Sequence, residues 1–152
     1  MKLVKVLPML AVASFCLMGC ASKCDYAKFH DEAVKAAEKA KSVKFSKVVV
    51  KGTYVDSDNK KQSYDDVKVE FDSGVFTSTS ITHLDEVAVA LILNALTAQN
   101  VGEDENCTYY AGSSFKVVTE SDNGKSTVEY NQYGLLTLIK DADSNLKVSY
   151  SK

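Results

Sequence analysis

Apolar and polar positions along residues 25–40 alternate with the period of an amphipathic helix. Asp25 is a residue type suited to cap a helix, and apolar side chains follow it at helical spacing. These apolar positions are Tyr26, Phe29, Ala33, Ala37 and Ala40. The pattern predicts a helix of about 16 residues, with one apolar stripe. Because that stripe is mostly alanine, we expect the helix to lie close to a sheet.

A second predicted helix, over residues 83–98, is apolar around nearly its whole circumference. Thr82 is its predicted N-cap, and Asp85 follows three residues later, as in a capping box. A short helix of this kind is either covered on several sides or lines an apolar groove. At about 15 residues it is too short to span a membrane. The candidate groove residues are Val87, Leu91, Ile92 and Leu96.

Alternating or β-branched segments separated by polar turns predict about seven strands. They cover 45–55, 65–71 and 75–80 in the first half, and 109–120, 126–130, 135–140 and 146–150 in the second. Short turns favour antiparallel neighbours. We therefore predict an α+β fold, in which an antiparallel meander sheet of about seven strands carries two helices packed on one face.

The order of these elements suggests two helix-plus-strands halves. Residues 69–77 and 128–137 share a Val-Glu-aromatic strand end, a turn and a return strand that contains threonine. An internal duplication explains this likeness. The common turn preferences of hairpins also explain it, and both explanations stay open.

The first twenty residues predict export. Lys2 and Lys5 precede an apolar run over 6–18, which is too short to span a hydrocarbon core of about 30 Å. The following Leu17-Met18-Gly19-Cys20 resembles the lipobox of bacterial membrane lipoproteins. The resemblance implies cleavage before Cys20, a diacylglyceryl cysteine there, and a further acyl chain such as palmitate on its amino group.

The same resemblance implies a division of the chain and a location. Residues 1–19 are then the signal peptide, 20–24 the lipidated cysteine with a short tether, and 25–152 a single α+β domain. We expect the protein in the cell envelope, lipid-anchored to a bacterial membrane. That membrane is the cytoplasmic membrane, on its outer face, or the outer membrane of a diderm cell. The membrane itself is thus the first expected partner.

Charge is divided unevenly along the chain. Residues 21–51 carry eight lysines and four acids, a net charge of +4, whereas residues 52–152 carry eight lysines and sixteen acids, a net charge of −8. Lysines near the anchor either orient the domain on anionic headgroups or form a solvated helix face. The acidic remainder argues against nucleic acid as a partner, because such proteins present a clustered basic surface.

Two cysteines remain after removal of Cys16 and lipidation of Cys20. They are Cys24 and Cys107, in an exported chain where disulfides persist. A bridge would close a loop of about 84 residues and stabilise the fold by roughly 4–5 kcal/mol in the chain-entropy model. Two free thiols are the alternative.

Residues suited to catalysis or metal binding are sparse. His30 and His83 do not stand in the spacing of a zinc site or a catalytic triad. Residues 141–145 match the start of a calcium loop, but the turn glycine and the final glutamate are missing. No glycine-rich phosphate loop occurs. We predict no catalytic residue, no metal and no cofactor, and therefore no enzyme.

The predicted function is a non-enzymatic binding role at the envelope. One version holds an apolar ligand between helix 83–98 and the sheet, an outline similar to the lipoprotein-carrier and lipid-transfer class. The other is a protein–protein interaction module, such as an inhibitor or surface antigen, which uses an acidic sheet face. A cavity behind the second helix favours the carrier. A filled core and an exposed face rich in tyrosine favour the interaction module.

Overall fold

A computed structural model describes residues 25–56, 58–102, 107–111, 114–121 and 124–152; for 107–111, 120 and 121 it describes the backbone. Two α-helices and eight strands follow one another, with a short 3-10 helix at Ala98–Asn100. The helices are α1 (Tyr26–Ala40) and α2 (Leu84–Ala95). The strands are β1 (Lys47–Val55), β2 (Lys61–Asp72), β3 (Val75–Thr77), β4 (Cys107–Ala111), β5 (Ser114–Ser121), β6 (Gly124–Tyr130), β7 (Leu136–Lys140) and β8 (Asn145–Ser151).

The strands form one curled antiparallel sheet in the order β3-β2-β1-β8-β7-β6-β5-β4. The α+β class and the antiparallel sheet are confirmed. The described sheet has eight strands because the segment predicted as one strand over 109–120 contains the paired strands β4 and β5. Gly112 and Ser113 lie between them and are residue types that favour turns. The first and last strands pair, since β1 lies beside β8, so the two sequence halves share one sheet.

Helix α1 begins at its predicted cap and buries Phe29, Ala33 and Ala40 of its predicted stripe, while Tyr26 and Ala37 are half-buried. The Asp25 side chain accepts a hydrogen bond from the backbone N–H of Lys28, at 3.1 Å. Phe29 is buried and its ring meets Phe115 of β5 edge-on, with the ring centroids 5.4 Å apart. Three alanines of the same side are also buried, and Ala36 lies beside Gly134 of the β6–β7 turn. The small side chains allow this close approach.

Helix α2 departs from its prediction at both ends. His83, not Thr82, occupies the N-cap position, and its side chain makes no capping hydrogen bond. The predicted Thr82 cap is therefore wrong: the Thr82 hydroxyl lies 2.7 Å from the Ser80 hydroxyl and belongs to the preceding turn. The α-helix ends at Ala95 instead of residue 98. Asn100 donates to the carbonyl oxygens of Asn94 and Ala95, which closes the last turn.

Three loops between strands are organised by the same device. Asp56, Asn131 and Asp141 each stand at the start of a loop, and one side-chain oxygen of each accepts two backbone N–H groups a few residues later. This is the hydrogen bonding by which Asp and Asn favour turns. In the segment that resembles a calcium loop, one carboxylate oxygen of Asp141 is thus engaged by the backbone.

The open edge of the sheet at β3 is covered by a side chain from α2. Asn94 accepts a hydrogen bond from Phe76 N–H at 2.8 Å and donates to Phe76 carbonyl oxygen at 2.9 Å. The amide therefore pairs with β3 as a further strand would. An unpaired edge is a template for another chain, and natural sheets commonly cover it. Asn94 is the one polar residue among residues 87–95 of α2, and its contact with β3 explains its presence there.

The core is one cluster to which α1, α2 and the sheet contribute. Its tyrosines serve packing. Tyr130 is 2% exposed, and Tyr150 donates a hydrogen bond to the Leu136 carbonyl oxygen at 2.7 Å. Burial raises the pKa of both phenols, because it disfavours the charged phenolate. Tyr133 packs edge-on against Phe45. Among the described side chains, these three tyrosines therefore contribute to the interior instead of an exposed binding face.

Candidate functional site

The residues predicted to line an apolar groove lie on different sides of α2. Leu96 is 3% exposed and belongs to the core, while Val87 and Ile92 are half-buried. Leu91 is 65% exposed and points away from the core. The structure therefore does not bring the four residues together as one lining. Val89, Ala90 and Leu93 occupy the side of the helix that faces the core.

The outer side of α2 carries an exposed apolar stripe. Leu84, Ala88, Leu91 and Ala95 recur at helical spacing. The two leucines are 77% and 65% exposed, Ala95 is exposed and Ala88 is half-buried. Ile81, in the preceding turn, is 89% exposed. The sequence indicated this stripe, because a helix that is apolar all round has a second apolar face besides the one that it buries. One face is buried against the core and the other is open.

An open cleft of about 520 Å³ adjoins the first turn of α2. Its lining comes from residues 82–86 and from residues 66–68 of β2. Charged and hydroxyl side chains alternate there with Val67 and Leu84. The cleft includes none of the four predicted groove residues, and its polar lining differs from the mainly apolar lining of most small-molecule sites.

A hydrogen-bonded cluster of three side chains borders this cleft. Glu86 accepts a hydrogen bond from the Thr79 hydroxyl at 2.8 Å, and its other oxygen lies 3.0 Å from His83 Nδ1. These contacts lower the pKa of the Glu86 carboxyl, the His83 hydrogen bond most. In a nucleophilic triad the imidazole lies between hydroxyl and carboxylate and takes the hydroxyl proton. Here the carboxylate lies between them, so His83 does not activate Thr79. The cluster instead holds the turn before α2.

The cysteines are placed only in part. Cys20, the predicted lipidation site, and Cys24 lie outside the described residues. Cys107 begins β4 and pairs with Val118 through the backbone. Strand β4 lies next to α1, and Asp25, the N-cap of α1, directly follows Cys24. The Cys24–Cys107 bridge stays a prediction.

Neither a metal centre nor a membrane-spanning helix occurs in the part of the chain that the structure describes. There, no three residues among His, Cys, Asp and Glu come together as potential metal ligands. Likewise, no helix of the described ranges is long and apolar enough to cross a membrane. In comparisons with protein-family models, curated proteins and solved structures, the chain has no match.

Proposed function

We propose that this protein is an exported lipoprotein of the cell envelope, whose folded domain has a non-enzymatic role in binding another protein. The lipobox-like Leu17-Met18-Gly19-Cys20 supports the anchor. The position of the first helix supports a domain held close to the membrane. Only four residues separate Cys20 from the Asp25 cap, and the five Cα–Cα steps between them reach at most about 18 Å when fully extended.

One observation carries the binding role: α2 is packed on one side and apolar on the other. Val89, Leu93 and Leu96 fill the space between the helix and the sheet, which leaves little room for an internal ligand. Leu84 and Leu91 are exposed two turns apart. Helices that present such a stripe typically insert it into a groove of a partner protein.

The partner that this stripe fits has an apolar groove with a basic rim. Asp85 and Glu86 follow Leu84 in the first turn of α2, and the rest of the helix, residues 87–95, contains no basic residue. Complementary charge on the partner would steer association and fix its orientation, while the leucines would supply buried apolar area. An acidic rim suits a protein partner better than it suits an anionic lipid surface.

We also propose that both helices lie on the same face of the sheet. Two contacts support this arrangement. Ala36 of α1 and Ala98, just after α2, both lie beside Gly134 in the β6–β7 turn. Side chains of both helices also join the same core cluster. The outer stripe of α2 would then be on the side of the domain opposite the outer surface of the sheet.

Cys20→Ser tests the anchor. We expect the parent protein to enter the detergent-rich phase in phase partition, and the variant to remain in the aqueous phase once its signal segment is removed. Cys24→Ser is the matched control, because it removes a thiol four residues away and keeps the lipidation site. Partition of the Cys20→Ser protein into detergent to the parent's extent would refute the lipoprotein assignment.

Native mass spectrometry of the mature protein from its own membranes tests the binding role. We expect a protein complex for the parent, and its loss for the doubly substituted Leu84→Ser/Leu91→Ser. Val34→Ser, at an exposed apolar position on α1, is the control and should keep the complex. A retained apolar small molecule of defined mass, with no protein partner, would overturn the proposal in favour of the carrier.

A further inference from the structure

The pairing of the first and last strands places two lysines directly opposite each other. Lys51 of β1 faces Lys147 of β8 in the antiparallel register, and both side chains are exposed. Like charges at directly opposed positions destabilise a strand pair. The nearest carboxylate oxygen, on Asp65, is 3.8 Å from Lys51 Nζ and also well exposed, so it offsets little of the repulsion.

These two lysines belong to a larger cationic surface on the outer side of the sheet. Side chains alternate between the two sides of a strand, so Lys47 lies on the same side as Lys51. Lys140 of β7 pairs with Asn145, which adjoins Lys147 on the same side. We call this surface the lysine face; it consists of Lys47, Lys51, Lys140 and Lys147. Strands β1, β7 and β8 contain no acidic residue.

The centre of the lysine face is a shallow depression of about 380 Å³. Gly52 lies at its floor, where β1 approaches β8 closely, and Asn145 and Ser149 stand beside the two opposed lysines. Asp66 of the neighbouring strand β2 also lines the depression, where Lys51 and Lys147 outnumber it. The face is therefore a broad, polar and positively charged surface, without the apolar stripe found on α2.

Helix α1 does not carry the net positive charge that its lysines suggest. Residues 25–41 contain four lysines and four acids. Lys35 forms ion pairs with Asp31 and Glu32, and Lys41 with Glu38. Part of the positive charge of the N-terminal region therefore lies on the sheet instead of on α1. There, Lys47 and Lys51 lie beside lysines that come from the acidic C-terminal region.

We propose that the lysine face docks on the anionic lipid headgroups of the membrane that holds the anchor. This inference rests on the lipid anchor proposed above. Charge complementarity supports it, since lysines near an anionic surface are attracted to it. The short tether keeps the domain near that surface. Docking would also account for the destabilising Lys51–Lys147 pair, because headgroup phosphates between the two ammonium groups would relieve their repulsion.

The test uses the mature chain, residues 20–152, with Cys20→Ser, so that any vesicle binding is independent of lipidation. All residues of the core cluster lie between Phe29 and Val148, so this chain retains every one of them. We expect it to co-sediment with vesicles that contain phosphatidylglycerol at low salt. It should not co-sediment with pure phosphatidylcholine vesicles, nor at high salt, where screening acts within about 3–10 Å.

Neutralising both opposed lysines, in Lys51→Gln/Lys147→Gln, should weaken partition into the anionic vesicles about 30-fold, at roughly 1 kcal/mol per lysine. The fold should survive, because the change removes a repulsion. The matched control is Lys28→Gln/Lys39→Gln on α1, which removes the same charge from exposed positions and should leave partition within about twofold. Equal loss in both variants would refute docking through this face, since net charge alone would then explain binding. No binding of the Cys20→Ser chain to the anionic vesicles at low salt would also overturn the proposal.

Discussion

Gly52 lies at a close approach of β1 to β8, and the Gly52→Ala variant tests this strand pairing. Its φ is +119°, and a Cβ atom there would be 2.0 Å from the carbonyl oxygen of Asn145. That oxygen belongs to the backbone of β8, which is paired on both sides, with β1 and with β7. It cannot rotate away as a flexible side chain would. The alanine must therefore separate the two strands locally.

Two terms set the magnitude of the loss. A side chain at this positive φ costs about 1–3 kcal/mol in backbone strain. Overpacking against the fixed carbonyl adds about 1–3 kcal/mol. We expect Gly52→Ala to lower the free energy of unfolding by about 4 kcal/mol, a large fraction of the roughly 5–15 kcal/mol typical of a domain. Gly124→Ala is the matched control: its φ is +111°, but no described atom lies within 4 Å of the added Cβ. Gly124→Ala should therefore lower the free energy of unfolding only by the cost of backbone strain.

Urea unfolding of the mature chain measures the difference. Far-ultraviolet circular dichroism and tyrosine fluorescence are suitable signals, since the chain has eight tyrosines and no tryptophan. With a denaturant slope of about 1–3 kcal/mol/M, the Gly52→Ala midpoint should lie roughly 1 M or more below that of Gly124→Ala. Equal midpoints for the two variants would refute the reasoning, because the β1–β8 contact would then have room for a methyl group.

Four further outcomes are expected. Asn94→Ala should lower the free energy of unfolding by about 2 kcal/mol in urea and promote aggregation through the uncovered edge of β3, because two hydrogen bonds are lost; an unchanged midpoint would show that water serves the edge equally well. Tyr130→Phe should stabilise the fold by about 1 kcal/mol, since its buried hydroxyl has no partner among the described residues, whereas Tyr150→Phe should destabilise it by a similar amount; shifts of the same sign would contradict this pair. Above pH about 10, stability should fall by roughly 1.4 kcal/mol per pH unit for each of these tyrosines, because the folded state keeps a phenolic proton that the unfolded state releases; a flat profile in alkaline urea titrations would count against the raised pKa values. Non-reducing peptide mapping should recover Cys24 and Cys107 in one linked peptide, and full alkylation of both without reductant would exclude the bridge.

Features that depend on a few neighbouring residues could be read from the sequence. The Asp25 cap and the polar turns at Asp56, Asn131 and Asp141 rest on hydrogen bonds within about four residues. The apolar stripe of α1 was visible in the helical spacing of its residues. Most strand segments followed from local alternation, but the segment 109–120, predicted as one strand, contains the paired strands β4 and β5. Where two local signals competed, the prediction failed. Thr82 had the chemistry of a cap, but its hydroxyl contacts Ser80 and the helix begins one residue later.

Only the tertiary structure decided which distant segments meet. Alternation in β1 and β8 predicts two strands, yet it does not predict that Lys51 faces Lys147 across a separation of 96 residues. Along the sequence, positive charge is concentrated near the N-terminus and negative charge in the remainder. On the folded surface, strand pairing determines which charges lie together. Likewise, the all-apolar pattern of α2 left its orientation undetermined. Packing against β2 and β3 buries one face, places Asn94 on the sheet edge and leaves Leu84 and Leu91 exposed. Local patterns determine elements, because their period is a property of the chain. Partners and exposed faces arise from long-range pairing, which no short segment contains.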